Sequence, residues 1–370
     1  MNTKQMRSKK SKIAAFDPNA VRKLNGSIYG LPFTPEESDV VILGVPWSVT
    51  ISYGGNTEKA PEAILRASSQ VDLYDLEIPD AWKIGIALLP GESRFRKKGE
   101  YLRKKAEICI RHLEKGGSPN DVKVKKLYAE INSGCEELRD WLFHESQKLL
   151  RKGKLVGVLG GDHSVPLGYM QALSKVHPKY SILHLDAHAD LRKAYEGFEF
   201  SHASIMYHAS LISNIDHIVS VGVRDFCTEE ADRIRNSHGK ILPFFDRVLK
   251  KNIFRGSTWK KECEKIVRSL SSKVYISFDI DALSPHLCPH TGTPVPGGLE
   301  YEEALFLLEA VVRSGRTIIG FDLSEVSPGK DKESEWDASV GARILYRLSM
   351  LMAKSQGNYK KNFIDKIFSR

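Results

Sequence analysis

Six short apolar runs recur along the chain: Val40–Val45, Leu155–Leu159, Ser181–Leu185, His217–Val221, Val274–Phe278 and Thr317–Phe321. Each has the length of a strand and is bounded by small or acidic residues. Continuous rather than alternating apolar runs suit strands buried on both faces. Between them lie stretches with helical spacing, at Leu167–His177, Glu229–Ser237, Trp259–Leu270 and Tyr301–Ser314. Strands alternating with helices predict an α/β fold: a three-layer domain with a mainly parallel central sheet flanked by helices.

Two regions depart from that rhythm. Residues 96–152 are rich in Lys, Glu and Leu and broken at Gly116-Gly117-Ser118-Pro119-Asn120. They predict amphipathic helices around a turn, an elaboration of the sheet rather than a separate domain. Residues 1–38 carry Pro18, Gly26, Gly30, Pro32 and Pro35, which break any regular pattern. They read as an irregular arm lying over the domain or a neighbouring subunit. The division is therefore an arm over 1–38, one α/β domain over 39–355, and a basic tail over 356–370.

Composition narrows the class. With 41% hydrophobic and 27% charged residues in 370, the chain can bury a sizeable core. No stretch approaches the ~20 apolar residues that span a bilayer, so no membrane partner is expected. Met1–Ala14 is basic and polar with no apolar segment behind it, which points away from a secretory signal and towards the cytoplasm. Cys109, Cys135, Cys227, Cys263 and Cys288 are scattered, odd in number and without a CxxC pair, so neither a disulfide framework nor a zinc knuckle is expected. The net charge of +9 raises nucleic-acid binding, but the basic runs carry no recognition module and read as solvated helix faces.

The polar chemistry gathers where the apolar runs end. Gly160-Gly161-Asp162-His163-Ser164, Asp186-Ala187-His188-Ala189-Asp190, Asp279-Ile280-Asp281 and Asp322-Leu323-Ser324-Glu325 each directly follow one. In open parallel sheets ligands bind beyond the carboxyl ends of the strands, so these four motifs belong around one crevice. In extended chain residues i and i+2 point the same way, so Asp186, His188 and Asp190 converge, as do Asp279 and Asp281. With His163 they form four carboxylates and two imidazoles. Such a cluster repels itself unless cations neutralise it, and two divalent ions match four negative charges. Carboxylate and imidazole donors without thiolate suit Mn(II), Ni(II), Fe(II) or Zn(II). A lone DxD motif would carry little weight; the four motifs together carry much more.

GGDHS, DAHAD, SFDIDALSP, TGTPVPGG and FDLSEVSP together resemble the signature blocks of the ureohydrolases, the family of arginases, agmatinases, guanidinobutyrases, formimidoylglutamases and guanidine hydrolases. The resemblance extends over residues 38–352. It implies a single arginase-like α/β domain, usually assembled into trimers or hexamers. It implies that His163, Asp186, Asp190 and Asp279 hold one ion and Asp186, His188, Asp279 and Asp281 the other, with Asp186 and Asp279 bridging. It further implies that Glu325 grips the guanidinium and that His202 shuttles a proton or acts as an electrostatic partner. In this chemistry two ions ~3.5–4 Å apart share a water, and the bridging hydroxide attacks the guanidino carbon to release urea. Asp190 accepts the remaining proton. Mn(II) is the family's usual metal; Ni(II) would implicate a metal-loading chaperone.

The substrate is less constrained. Arginases typically carry Asn two positions after DAHxD, where Arg192 stands here, and the DLRxxYEGxxxSHA pattern is similar to the agmatinase-like branch. The long N-terminal arm and residues 96–152 resemble longer relatives that include nickel-dependent guanidine hydrolases. Trp336 follows Glu325 by eleven residues. An indole in a loop facing the pocket would shorten the cavity and exclude an aminobutyl tail. Agmatine and free guanidine therefore stand level, ahead of guanidinobutyrate or arginine. Ala60 replaces the Gly that commonly precedes Pro61, a change at the rim. A catalytically silent scaffold or inhibitor is the reading from another class, but such chains tend to lose metal ligands, and all six are present. A zinc-type amidohydrolase or deacetylase leaves Glu325 and TGTPVPGG unexplained.

Overall fold

The computed structural model describes residues 3–22, 26–329 and 335–357. Its eight strands are β1 (Val40–Gly44), β2 (Ile86–Leu89), β3 (Leu155–Leu159), β4 (Tyr180–Leu185), β5 (Ile215–Val221), β6 (Ile241–Phe244), β7 (Lys273–Asp279) and β8 (Thr317–Ser324). They form one sheet in the order β2-β1-β3-β8-β7-β4-β5-β6, and every pairing is parallel. The six strands expected from apolar runs are all present. The two others, β2 and β6, are the edges. Each is four residues long, pairs on one side only and is partly exposed, so neither needs a long apolar run. Pro243 is accommodated in β6 because an edge strand leaves one side free of ladder bonds.

Alternate residues of the strands feed two separate cores. Val40 and Ile42 point into one, Val41 and Leu43 into the other. The helices, in chain order, are α1 (Thr3–Ala15), α2 (Ala60–Ala67), α3 (Ser93–Glu114), α4 (Val122–Arg151), α5 (Leu167–Ser174), α6 (Ile205–Ser210), α7 (Thr228–Arg235), α8 (Asp246–Phe254), α9 (Trp259–Arg268), α10 (Tyr301–Arg313) and α11 (Trp336–Ser355). The first core receives α2, α9, α10 and α11; the second receives α3 to α6. These are the three layers. The insertion forms the hairpin α3–α4, whose Leu102, Cys109, Ile131 and Leu138 share the second core with β1 and β3. All five cysteines are free thiols. Among the described residues no helix is long and apolar enough to cross a membrane.

The N-terminal arm departs from its expected irregularity. Residues Thr3–Ala15 are helical, without the apolar stripe that would announce a docked helix. Polar side chains hold α1 down instead: Ser8 and Lys12 reach Glu37, and Lys9 reaches Asp39 and the Ile84 carbonyl. Behind them Ile13 and Phe16 touch the first core, with Phe16 5.0 Å from the Trp82 ring. The arm thus rests on its own domain. The basic tail lies outside the described residues from 358 onward.

Candidate metal centre and substrate cleft

The four motif-bearing strands, β3, β8, β7 and β4, are the four adjacent strands at the middle of the sheet. Their ends are in step: Asp279 lies beside Ser324, and Leu185 beside Phe278. The chain must turn tightly after β3 to bring His163 inward. A Cβ on Gly161 would stand 1.9 Å from the Trp47 carbonyl oxygen, so only glycine fits. Asp190 and Glu325 both adopt left-handed backbone, at φ of 54° and 61°, a strain typical of sites where the side chain's aim matters more than local comfort.

Backbone amides fix several of the carboxylates by one oxygen. The His188 N–H donates to Asp186 Oδ1 at 2.6 Å, Ala187 N–H to Asp281 Oδ1 at 3.0 Å, and Asp281 N–H to Asp279 Oδ1 at 2.9 Å. The second oxygens turn inward. Asp186, Asp190 and Asp279 present Oδ2 to His163 Nδ1 at 3.0, 3.0 and 3.3 Å. Asp281 Oδ2 stands 3.0 Å from His188 Nδ1, with Asp186 Oδ1 3.5 Å from the same nitrogen. His163, His184, Asp186 and Asp190 form one group able to hold a cation; Asp186, His188 and Asp281 form a second, sharing Asp186.

Charge confirms the strain of this grouping. Burial, followed by the charge on Asp186, raises Asp190 to about 6, and burial with the charges of Asp281 and Asp186 drives Asp279 well up. Burial also works against charge on Asp186 and the imidazoles, but is outweighed. His184, His163 and His188 hold Asp186 far below the usual range, and Asp281 and Asp186 raise His188 to about 12. The cluster thus retains protons where neutral water would otherwise strip or add them. Divalent cations would take the place of those protons and engage His163 Nδ1, which faces three carboxylate oxygens yet makes no well-aligned hydrogen bond to any of them. The donor set and this orphaned nitrogen fit a pair of metal ions.

A supporting layer escaped the sequence reading. His184 sits two residues before Asp186 and bonds its Oδ2 at 2.8 Å through Nε2, with Nδ1 on Ser220. The far nitrogen of His163 meets Ser277 Oγ at 2.9 Å and lies 3.7 Å from Asp322 Oδ2. Asp322 in turn accepts from Tyr275 and Ser324. Such partners orient a ligating imidazole and raise its basicity. The same period-two rule that gathered the ligands, extended two residues towards the N-terminus, picks out His184 and Ser277.

Above the cluster opens a cleft of about 440 Å³, lined at its base by His188 and Asp190 and higher up by Tyr53, Tyr195, His202 and Phe226. His202 is partly buried; burial and the neighbouring charge of His188 lower it to about 4, so it is neutral at neutral pH. Glu325 lies beneath Gly292, with Oε1 accepting from the His163 N–H at 2.9 Å. Burial and the charge of Asp162 push its carboxyl well up. An arriving guanidinium would supply the positive charge that lets it ionise. Trp336 is not where the sequence reading placed it. It is the first residue of α11, half exposed, and its Nε1 donates to the His286 carbonyl at 3.0 Å. The cleft walls do not include it; Tyr53, Tyr195 and Phe226 supply the aromatic surface.

A wholly parallel eight-stranded sheet with two His/Asp groups able to hold cations at the carboxyl ends of its central strands has the architecture of a metal-dependent α/β enzyme. The chain belongs to the arginase family, whose model it matches over residues 38–351. It is 32% identical to the N(1)-aminopropylagmatine ureohydrolase of Thermus thermophilus over 86% of this chain and 92% of that protein. It is 31% identical to the agmatinase of Neisseria meningitidis over 92% and 97% of the two chains. The agmatine ureohydrolase of Thermoplasma volcanium shares the fold, with a TM-score of 0.68 at 23% identity over 95% of this chain and 100% of that one. The protein is therefore a metal-dependent ureohydrolase of the arginase/agmatinase type, acting on a guanidino C–N bond.

Proposed function

We propose that the enzyme hydrolyses an elongated guanidino amine, agmatine or an N-alkylated agmatine, to urea and the corresponding amine. One observation carries this reading. The cleft, at about 440 Å³, is far larger than free guanidine needs, and it carries the exposed Asp225 carboxylate on its lining. A terminal ammonium at the end of an aliphatic tail would pair with that carboxylate. With Trp336 outside the lining of the cleft, the pocket-closure argument for free guanidine falls away, leaving only the long arm and residues 96–152 on its side. The names of the relatives, which refer to agmatine and N(1)-aminopropylagmatine, support the same choice.

The residues divide the work. His163, Asp186, Asp190 and Asp279 would hold one ion, and Asp186, His188, Asp279 and Asp281 the other. Mn(II) suits these donors, with Ni(II) as the alternative. When bound, the ions supply Lewis acidity and acidify water at the guanidino carbon. Glu325 grips the guanidinium in a planar, charge-assisted pair. Asp190 takes the proton released as water adds. The C–N bond to the tail then breaks, and His202, which lines the cleft, accepts that proton from Asp190 and passes it to the departing amine. Arg192 also lines the cleft and favours a second reading, a guanidino acid such as guanidinobutyrate. Its guanidinium, however, stacks on Tyr195 at 4.8 Å and stands 3.8 Å from Glu230, which spends part of its charge. Members of the family are typically oligomeric, and this chain is expected to form a trimer or hexamer.

Urea release from agmatine, N(1)-aminopropylagmatine, guanidinobutyrate, arginine and guanidine, with Mn(II)- and Ni(II)-loaded enzyme, decides between these. The amines should lead in kcat/KM, and Asp225→Asn should raise KM for them while sparing guanidine. A preference for guanidine or for the acids would overturn the proposal.

A further inference from the structure

The α3–α4 hairpin has so far only a packing role. Its contacts on the side facing the cleft are of another kind. From α3, Arg103 donates through Nη1 to the carbonyls of Val49 at 3.2 Å and Ile51 at 2.5 Å. Those carbonyls belong to the segment between β1 and α2 that carries Ser52 and Tyr53 into the cleft. From α4, the Tyr128 hydroxyl donates to the Glu196 carbonyl at 3.0 Å, and Asn132 Oδ1 accepts from the Glu199 N–H at 3.2 Å. The Tyr128 ring also lies 5.2 Å from that of Phe198. That second segment carries Tyr195 and His202 into the same cleft.

The second segment is costly to shape. Glu196 is left-handed at φ 50°, followed by Gly197 at φ 83°, and a Cβ on Gly197 would meet the Tyr128 ring at 2.6 Å. A non-glycine residue in that region stays there only when its surroundings over-determine it. Tyr128, holding the Glu196 carbonyl, is such a surrounding. The two segments also join each other, with Thr50 Oγ1 donating to the Phe200 carbonyl at 3.3 Å. Segments 49–53 and 195–202 thus form one unit, tied to the hairpin at Arg103 on one side and at Tyr128 and Asn132 on the other. Among the described residues, none of these three makes a hydrogen bond or ion pair to a proposed metal ligand.

We propose that the α3–α4 hairpin positions both substrate-bearing segments of the cleft, with Arg103 and Tyr128 as its positioning residues. It sets where Tyr53, Tyr195 and His202 stand over a metal floor that the sheet fixes independently. The inference rests on the reading of this cleft as the substrate site. A consequence is division of labour: loosening the hairpin contacts disturbs substrate and proton handling while the ligand set stays whole.

Tyr128→Phe removes one hydroxyl, and Arg103→Lys keeps the charge while losing the forked donor. Each should retain two ions per chain at wild-type affinity. Each should also raise KM for agmatine, or lower kcat, by roughly two- to tenfold, the worth of one net hydrogen bond. Amide hydrogen exchange, run without substrate, should quicken in both segments, 49–53 and 195–202, in either single variant, because the segments move as one. The double variant should fall short of the product of the singles. Exchange confined to the segment each residue touches, or singles that multiply, would overturn the proposal, as would lost metal affinity. If agmatine is not a substrate, the exchange and metal measurements still stand, and they separate failure of this inference from failure of the substrate reading.

Discussion

Asp322→Asn tests whether the layer behind His163 governs the metal centre. Asp322 is fully buried and makes no direct approach to the ion-binding face; its influence runs through His163 Nε2. Second-layer partners of metal-bound histidines are worth 10–100-fold in affinity. Geometry places this one near the lower figure. Ser277 Oγ, at 2.9 Å, is the direct partner of Nε2, whereas Asp322 Oδ2 is 3.7 Å away and reaches the imidazole only electrostatically. Asparagine conserves volume and still accepts from Tyr275, so the core should survive. Affinity for the ion on the His163 side should fall about tenfold, or about 1.4 kcal/mol. The Asp186–His188–Asp281 group should change little. Calorimetric titration of metal-stripped protein with Mn(II) resolves the two sites. Equal losses at both, or none at the His163 side, would refute the reasoning, and Ser277→Ala should then also prove silent.

Four further outcomes follow from the same geometry. Asp186→Asn, which removes charge from the residue shared by both groups, should abolish most urea release and lower metal content below two ions per chain, measured by elemental analysis. If Glu325 meets substrate and not metal, as proposed, Glu325→Gln should keep both ions yet lose at least ~10²-fold in kcat/KM; a loss of metal would place it among the ligands instead. His202→Ala should likewise keep metal and slow turnover by roughly 10²-fold, and an unchanged rate across pH would deny it the proton relay. Glu37, against which α1 docks, is held at about 2; burial opposes this, but Lys12 and Ser8 prevail. Its folded value lies below the unfolded ~4.3, so its contribution is full above that pH and is lost as pH falls towards 2. Glu37→Gln should therefore lower the melting temperature of metal-stripped protein at neutral pH and converge on wild type in acid.

The parts of the fold visible in the sequence are those where one physical signal dominates. Central strands need apolar side chains on both faces, and six of them could be read directly. The edges β2 and β6 bury less and gave no such run. Helix α11 was missed for the opposite reason. Val340, Gly341, Ala342, Ile344, Leu345 and most of its following residues are buried all round, so no amphipathic period marks it. Its deeply placed cation, Arg347, pairs through its two terminal nitrogens with Asp75 and Glu309 from distant parts of the chain. At the site, the period-two reading grouped five of the six proposed ligands, and His163 joined them as the polar residue after β3; the structure brings them together at the strand ends, although His188 and Asp190 lie beyond β4 and Asp281 sits in a short turn. Trp336 had no such rule. Eleven residues beyond Glu325, with 330–334 outside the described residues, nothing local determines where an indole points.

This contrast bears on how the enzyme chooses its substrate. The floor of the cleft is specified by strand ends, and each aspartate held by a backbone amide is aimed before any cation arrives. Moving a ligand means moving the middle of the sheet. The walls come from segments that are neither strand nor long helix, and they take their shape from residues far away in sequence: Arg103 on 49–53, Tyr128 on 195–202, Asp337 on His290 shortly before the Gly292–Val295 wall. Substitutions in these supports alter the reach and polarity of the cleft without entering the coordination sphere. A ureohydrolase built this way can change the tail it accepts while its chemistry at the guanidino carbon stays constant. The discriminating residues therefore belong on the walls and on the supports behind them, where Asp225, Arg192 and the α3–α4 hairpin lie.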